Sequence, residues 1–369
     1  MFDMRLFAFY LHQFHEVKEN NDWWGKGFTE WTHVTGAKPL FKGHIQPIKP
    51  LDNNYYNLLE KETVKWQTDL MEKYHVDGMV YYHYYFNGKM LLEKPAENLL
   101  NWKDINQPFF FCWANHTWYK AVNGKKKILL EQTYGDKEDW ERHFEYLLPF
   151  FKDERYEKKD NKPLFMIYNP NFAEKHDMID YFEKRCIEEG FDGIYIIESF
   201  GDYTNKENFK KQYDNRAKQT VKTFIREPAV SNGILLRNQR QNLLLRIYKR
   251  IIITLNKCRI IRKIDKYSGD KLYRLMKGDI YERDDVIRGM FFSWDNTPRH
   301  QERGYIITEP NKETFMKYAK NVSNDDYVII NAWNEWAEGM VLEPTEHLKY
   351  KYLEWIKEFR ENTKNKGDL

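Results

Sequence analysis

Seven short runs of unbroken apolar or aromatic residues recur along the chain: Leu6–Leu11, Gly78–Tyr82, Pro108–Trp113, Leu164–Tyr168, Ile194–Ile197, Gly289–Ser293 and Tyr327–Ala332. A strand with one wet face would alternate polar and apolar residues. Unbroken runs are the mark of strands buried on both faces, which is how parallel sheets are made. Amphipathic helical stretches lie between them, at Glu60–Tyr74, Glu138–Phe151, Glu174–Glu189, Asn311–Asn321 and His347–Thr363. Strand alternating with helix predicts βαβ units. A weaker candidate, Thr220–Ile225, brings the strands to eight. No Gly-rich phosphate fingerprint follows any strand, so an α/β fold of the (β/α)8 TIM-barrel class is expected over a doubly wound sheet. The 369 residues then form one domain, 1–369, with long βα loops and a basic helical insertion at about 201–283.

The polar and aromatic clusters all stand at the carboxyl ends of these strands. "HQFHEVKENNDWWGKGFTEW" follows the first, "HYYFNGK" the second and "WANHTW" the third, while "SWDNTPR" and "NAWNEWAEG" follow the last two. In a barrel those ends converge on the face that carries the active site. Five distant regions therefore point at one cleft. Aromatic residues make up 17% of the chain, often beside hydrogen-bonding side chains. Such pairs suit sugars, whose C–H faces stack on rings while hydroxyls take polar partners. An aromatic-rich core is the competing account.

Glu335 and Glu338 are the candidate catalytic pair. On one helical turn, residues i and i+3 share a face with Cβ atoms roughly 5–6 Å apart. Carboxyl groups about 5–5.5 Å apart suit retaining glycoside chemistry, and wider gaps suit inversion. Proximity splits their pKa values, so one keeps a proton while the other is charged. The bland alternative is two glutamates in the first turn of a helix, favoured by its dipole. Glu30 and Trp31 lie in "GFTEW", where Glu30 is either a third site carboxylate or a capping or ion-paired loop residue. Trp24, Trp113, Trp294 and Trp333 are candidate stacking platforms, with Asn115, Asn296 and Asn331 as amide partners beside them. His12, His83 and Tyr84 are candidate hydrogen-bonding groups to sugar hydroxyls, or core residues. No zinc spacing joins the histidines, so no metal and no cofactor are expected.

Net charge is +3, from 59 basic and 56 acidic residues, which gives no nucleic-acid signature. Three widely spaced cysteines, Cys112, Cys186 and Cys258, fit a reducing, cytoplasmic compartment. "MFDMRLFAFYL" reads as a first strand rather than a secretory leader. No run of about 18 apolar residues occurs. Arg237–Lys277 holds 13 basic residues and two acids, with apolar residues at helical spacing between the basic ones. This segment is either a surface helix docked on the barrel or a peripheral contact with the inner face of an anionic membrane.

The runs "AFYLHQFHEVKENNDWWGKGFTEWTHVTGAKPLFKGHIQP", "DGMVYYHYYFNGKMLLEKP", "FFFCWANHTW" and "INAWNEWAEGMVLEP" resemble the WbsX-type proteins of bacterial cell-surface polysaccharide gene clusters, also described as glycoside hydrolase family 99-like. The likeness runs from Leu6 to about Glu354 and is poorest at Arg237–Lys277. It implies a barrel acting on an O-antigen or capsular glycan or its precursor. Family 99 endo-α-mannosidases carry a Glu-Trp-x-Glu segment after a late strand. By that likeness Glu335 is the base that takes the sugar 2-hydroxyl proton, giving a 1,2-anhydro intermediate, and Glu338 is the general acid. Ala337 stands where histidine is usual, so contacts made by that histidine do not carry over. The expected function is a retaining, glycoside hydrolase-like enzyme on surface polysaccharide. The alternatives are a glycosyltransferase of lipopolysaccharide or capsule synthesis and a non-catalytic glycan-binding barrel.

Overall fold

The computed structural model describes residues 4–122, 125–201, 206–241, 243–257 and 263–364. Among them eight parallel strands close on themselves: β1 (Arg5–Tyr10), β2 (Gly78–Phe86), β3 (Phe109–Trp113), β4 (Lys162–Ile167), β5 (Tyr195–Phe200), β6 (Thr220–Ile225), β7 (Val286–Phe291) and β8 (Tyr327–Asn331). Neighbours in sequence are neighbours in space, and β1 pairs with both β2 and β8 to shut the barrel. The expected TIM barrel is present.

The apolar runs form strands because both of their faces are covered. Phe7, Phe9, Phe110, Phe111 and Phe224 are almost fully buried, and each such side chain removed from water contributes about 1.5–3 kcal/mol. Phe9 stacks on Tyr82 at 5.1 Å and meets Phe224 at 5.5 Å across the barrel interior. Space is tight enough to demand glycine at 78, where a Cβ would stand 2.3 Å from the Phe7 ring. Helices Lys61–Lys73, Lys137–Phe151, Lys175–Glu188, Lys312–Val322 and Lys351–Lys364 match the predicted helical stretches to within a few residues.

Two expectations need redrawing. The weak eighth strand is real, and it lies inside the stretch 201–283, so the material added to the barrel begins only after Ile225. The basic block is also not one unit. Helix Gly269–Leu275 seats Leu272 and Tyr273 in the core, with the Tyr273 ring 4.7 Å from Phe291. Only helix Leu243–Lys257 leaves its apolar side chains outside. Cys112 and Cys186 are buried free thiols; Cys258 lies outside the described residues.

Candidate active site

The five clusters read from the sequence follow β7, β8, β1, β2 and β3, five consecutive staves of the barrel. After β8 the chain forms a tight hairpin, Asn334–Glu335 against Met340–Val341, around a 3-10 turn at Trp336–Glu338. Gly339 closes that turn at φ 61°, a left-handed conformation glycine adopts freely. The turn puts Glu335 and Glu338 on one side, as the i, i+3 spacing predicts.

What holds the hairpin is a third glutamate. Glu343 is buried and accepts from the indole N–H groups of Trp333 (2.9 Å) and Trp336 (2.7 Å), from Gln67 Nε2 (2.6 Å) and from the Tyr56 hydroxyl (2.7 Å). Burial pushes its carboxyl up to about 7 against those four donors. Asn334 adds bonds in both directions to the Leu11 backbone, tying the hairpin to the end of β1.

The short helix Thr297–His300 after β7 brings up Arg299. Asp295 anchors that segment, accepting from Thr297, His44 and Gln46. Arg299 then meets three carboxylates: Nη2 to Glu30 Oε1 at 2.5 Å, Nη1 to Glu338 Oε1 at 2.9 Å, and Nη2 to Glu335 Oε2 at 3.7 Å. One cation facing three carboxylates cannot hold all of them charged in a dry site. Burial pushes the Glu335 carboxyl up to about 8, helped by the charges of Glu338 and Glu30 and opposed by Arg299. Those carboxylates keep the Arg299 guanidinium firmly protonated despite its burial. The surroundings of Glu335 therefore favour its protonated form, while Glu338 is ion-paired to Arg299. The hydroxyls of Tyr82 and Tyr84 are raised well above their usual value, mainly by burial and next by the Glu335 charge, so both lie within its electrostatic reach.

The other predicted residues divide sharply. Glu30 joins the site through Arg299. Trp294 is half-buried against Tyr305 with its indole nitrogen unpaired, and Asn331 lies part-buried at the end of β8 with its Oδ1 unpaired. Trp24 stands 40% exposed on the rim, stacked on Phe28 under the Lys120 ammonium. Several others belong to the core instead. Trp333 is fully buried on Glu343, so it is not a wall of the cleft. Trp113 gives its indole N–H to the Tyr85 carbonyl, and Trp31 gives its own to the Tyr56 carbonyl. Asn115 clamps the Asn169 backbone at both ends, and Asn296 accepts from the Tyr305 amide. His83 is paired with His143 at 2.8 Å, and His12 is wedged between Tyr10 and Tyr81. Strand-end position alone does not say which face of the chain looks into the cleft, and these side chains took the inward, dry option. Among the described residues no His, Cys, Asp and Glu cluster of three gathers as a metal-ligand set.

Sequence reasoning missed Arg299, Glu343 and Tyr82. Arg299 had a signal: it is the one arginine in the five strand-end clusters, two of which carry glutamates.

Residues 6–356 match the sequence profile of the family described as Glycosyltransferase WbsX. The chain belongs to that family. Two relatives, both described as uncharacterized protein WxcX and from two strains of Xanthomonas campestris pv. campestris, are 29% identical over 365 residues. They cover 95% of this WbsX-family chain, which spans about half (48%) of their own length. Among solved structures, a GH99 endo-alpha-mannosidase from Bacteroides thetaiotaomicron, in complex with BIS-TRIS-propane, superposes with TM-score 0.56 at 12% identity, covering 100% of both chains. A structure described as a glycoside hydrolase-like protein gives TM-score 0.56 at 12% identity, covering 97% of this chain and 94% of its own. At that identity the likeness is one of fold. The family's description and the neighbours' descriptions both concern chemistry at a glycosidic bond.

Proposed function

We propose that this chain breaks or transfers a glycosidic bond in a bacterial surface polysaccharide, such as O-antigen or capsule, or in its precursor, in the manner of a retaining glycosidase. Glu335 and Glu338 are its acid/base pair. The observation that carries the reading is the hairpin after β8, where two carboxylates on one turn share Arg299 and are braced from behind by Glu343. A carboxyl pushed up to about 8 is a strong enough base to take a proton from a sugar hydroxyl near neutral pH. With Glu335 as base and Glu338 as acid, the resting proton has to pass from Glu335 to Glu338 as substrate settles.

Transfer is the second reading, favoured by the family's description as glycosyltransferases. Calorimetric titration with a panel of sugar nucleotides, alongside product analysis on surface oligosaccharides, separates the two. Hydrolysis predicts released sugar and no saturable nucleotide binding; transfer predicts the reverse. Oligosaccharide binding with no product from either assay would leave a glycan-binding barrel and sink the enzyme reading.

We also propose where it works: on the cytoplasmic face of the membrane, through helix Leu243–Lys257. Leu243 (64%), Leu244 (77%) and Ile251 (53%) are exposed along one side, with Ile247 and Tyr248 beside them and Arg246 and Arg250 along the edge of that stripe. Among the described residues no helix is long and apolar enough to cross a membrane. An apolar stripe flanked by cations fits a helix lying in an anionic lipid surface. Co-sedimentation with vesicles containing phosphatidylglycerol should be lost in Leu244→Ser/Ile247→Ser/Ile251→Ser. Equal partitioning of both proteins removes the proposal, as does a concentration-dependent dimer that the triple variant abolishes.

A further inference from the structure

The strand-end clusters cover five staves of the mouth, and the remaining side, above β4, β5 and β6, holds a different feature. Arg226 is the first residue after β6, its amide bonded to the Phe200 carbonyl at the end of β5. Its guanidinium lies 3.8 Å above the ring of Tyr168, the first residue after β4. Gly201 also packs against it: a Cβ there would stand 2.1 Å from Nε and 2.2 Å from Nη2. The absent side chain at 201 is the space the guanidinium occupies. Tyr168 in turn sits 6.3 Å from Tyr82, whose hydroxyl feels the Glu335 charge.

Among the described residues this cation has no counter-charge. Arg5, Arg155, Arg216, Arg288 and Arg360, also packed against the barrel, each meet a carboxylate, and Arg299 meets three. Arg226 makes no ion pair among the described residues, and its Nε is buried with no hydrogen-bond partner. Leaving a half-buried guanidinium unpaired is costly, so a fixed one reads as a waiting donor. Ring and glycine hold it by packing rather than by an anion. Its Nη groups are left for a planar oxyanion, which a guanidinium fork takes in two parallel bonds.

We propose that Arg226 anchors an oxyanion subsite on the β4–β6 side of the mouth, and that the glycan taken there carries a carboxylate or phosphate near the bond at Glu335. This rests on the reading of the mouth as a glycan cleft. The subsite makes the mouth polarised: a compensated acid cluster on one wall and a free cation on the other. A neutral glycan would leave Arg226 unpaired, so the charge of the substrate becomes a criterion of selection.

The test is calorimetric titration of the full chain with three probes: methyl glucuronoside, methyl glucoside and inorganic phosphate. The glucuronoside should bind more tightly than the glucoside. Arg226→Gln should weaken it by about tenfold or more, the usual loss for hydrogen bonds to a charged group. Gly201→Ala should weaken it too, though the charge is kept, because the new methyl displaces the guanidinium. Phosphate binding with the same dependence, without glucuronoside binding, would assign the oxyanion to a phosphate-bearing glycan. Equal affinity for glucuronoside and glucoside, or anion affinities unchanged in Arg226→Gln, overturns the subsite. Binding is read without turnover, so loss of catalysis in Glu335 or Glu338 variants leaves this result untouched, and turnover of neutral glycans with no anion discrimination would overturn the subsite alone.

Discussion

Replacing Glu335 or Glu338 by glutamine should lower turnover of a cognate oligosaccharide by several orders of magnitude, while the protein keeps its fold. Acid/base catalysis by one positioned group accounts for about 10²–10⁴ in rate, and the two act in the same step. The two variants should then differ. An aryl glycoside whose leaving group departs without protonation bypasses the acid, so Glu338→Gln should regain activity on it and Glu335→Gln should not. The pH profile supplies an independent reading. Because the active pair carries one proton in all, kcat/KM should fall as pH rises through about 8, where that proton is lost and the acid is disarmed. Aryl-glycoside rescue of Glu335→Gln instead of Glu338→Gln would exchange the two roles. Near-normal turnover in both variants would remove the pair from catalysis altogether. Stability should also fall with rising pH, over a window that starts lower. The Glu335 pKa is raised on folding, so between about 4.5 and 8 the native state binds a proton that the unfolded state has released, and stability declines as pH rises through that window. Glu335→Gln removes that term, and its melting temperature at pH 8 should equal or exceed that of the parent protein.

Arg299→Gln should damage both stability and activity, with a signature that distinguishes it from ordinary loss of packing. It removes the cation shared by Glu30, Glu335 and Glu338, and Glu30 is 1% exposed. Removing one partner from a buried ion pair costs about 3–5 kcal/mol, because the other charge is left in a dry site. The carboxyls escape that cost by taking up protons. Their folded pKa values rise, the native state binds more protons than the unfolded one, and stability returns as pH falls. Urea denaturation at pH 7.5 should show a deficit of roughly 3 kcal/mol that shrinks by pH 5. An equal deficit at both pH values would mean that Arg299 acts by packing rather than by charge. Glu30→Gln placed on the same background should restore part of the stability at pH 7.5.

These outcomes turn on contacts of very different reach along the chain. Glu335 and Glu338 are three residues apart, and their placement on one face needed only a turn after an apolar strand. Glu30 and Arg299 are separated by 269 positions, and nothing in either neighbourhood names the other. The same holds for Glu343, which looked like the end of a motif and proved to be its brace. Trp333 sits among site residues in sequence yet donates inward to that brace, so the aromatic wall read from "NAWNEWAEGM" is core packing at this position.

By itself the sequence determined the barrel, the gathering of polar and aromatic residues at its strand ends, and the placing of two glutamates three apart on one turn. Periodicity is set by which residues must leave water, and that is written locally in unbroken apolar runs and the polar clusters that end them. Only the tertiary structure decided which strand-end side chains face the cleft, which cation meets which carboxylate, and that Arg226 meets none among the described residues. Those facts depend on barrel closure, which sets β1, β7 and β8 side by side and turns each loop in or out, and no local pattern encodes that geometry.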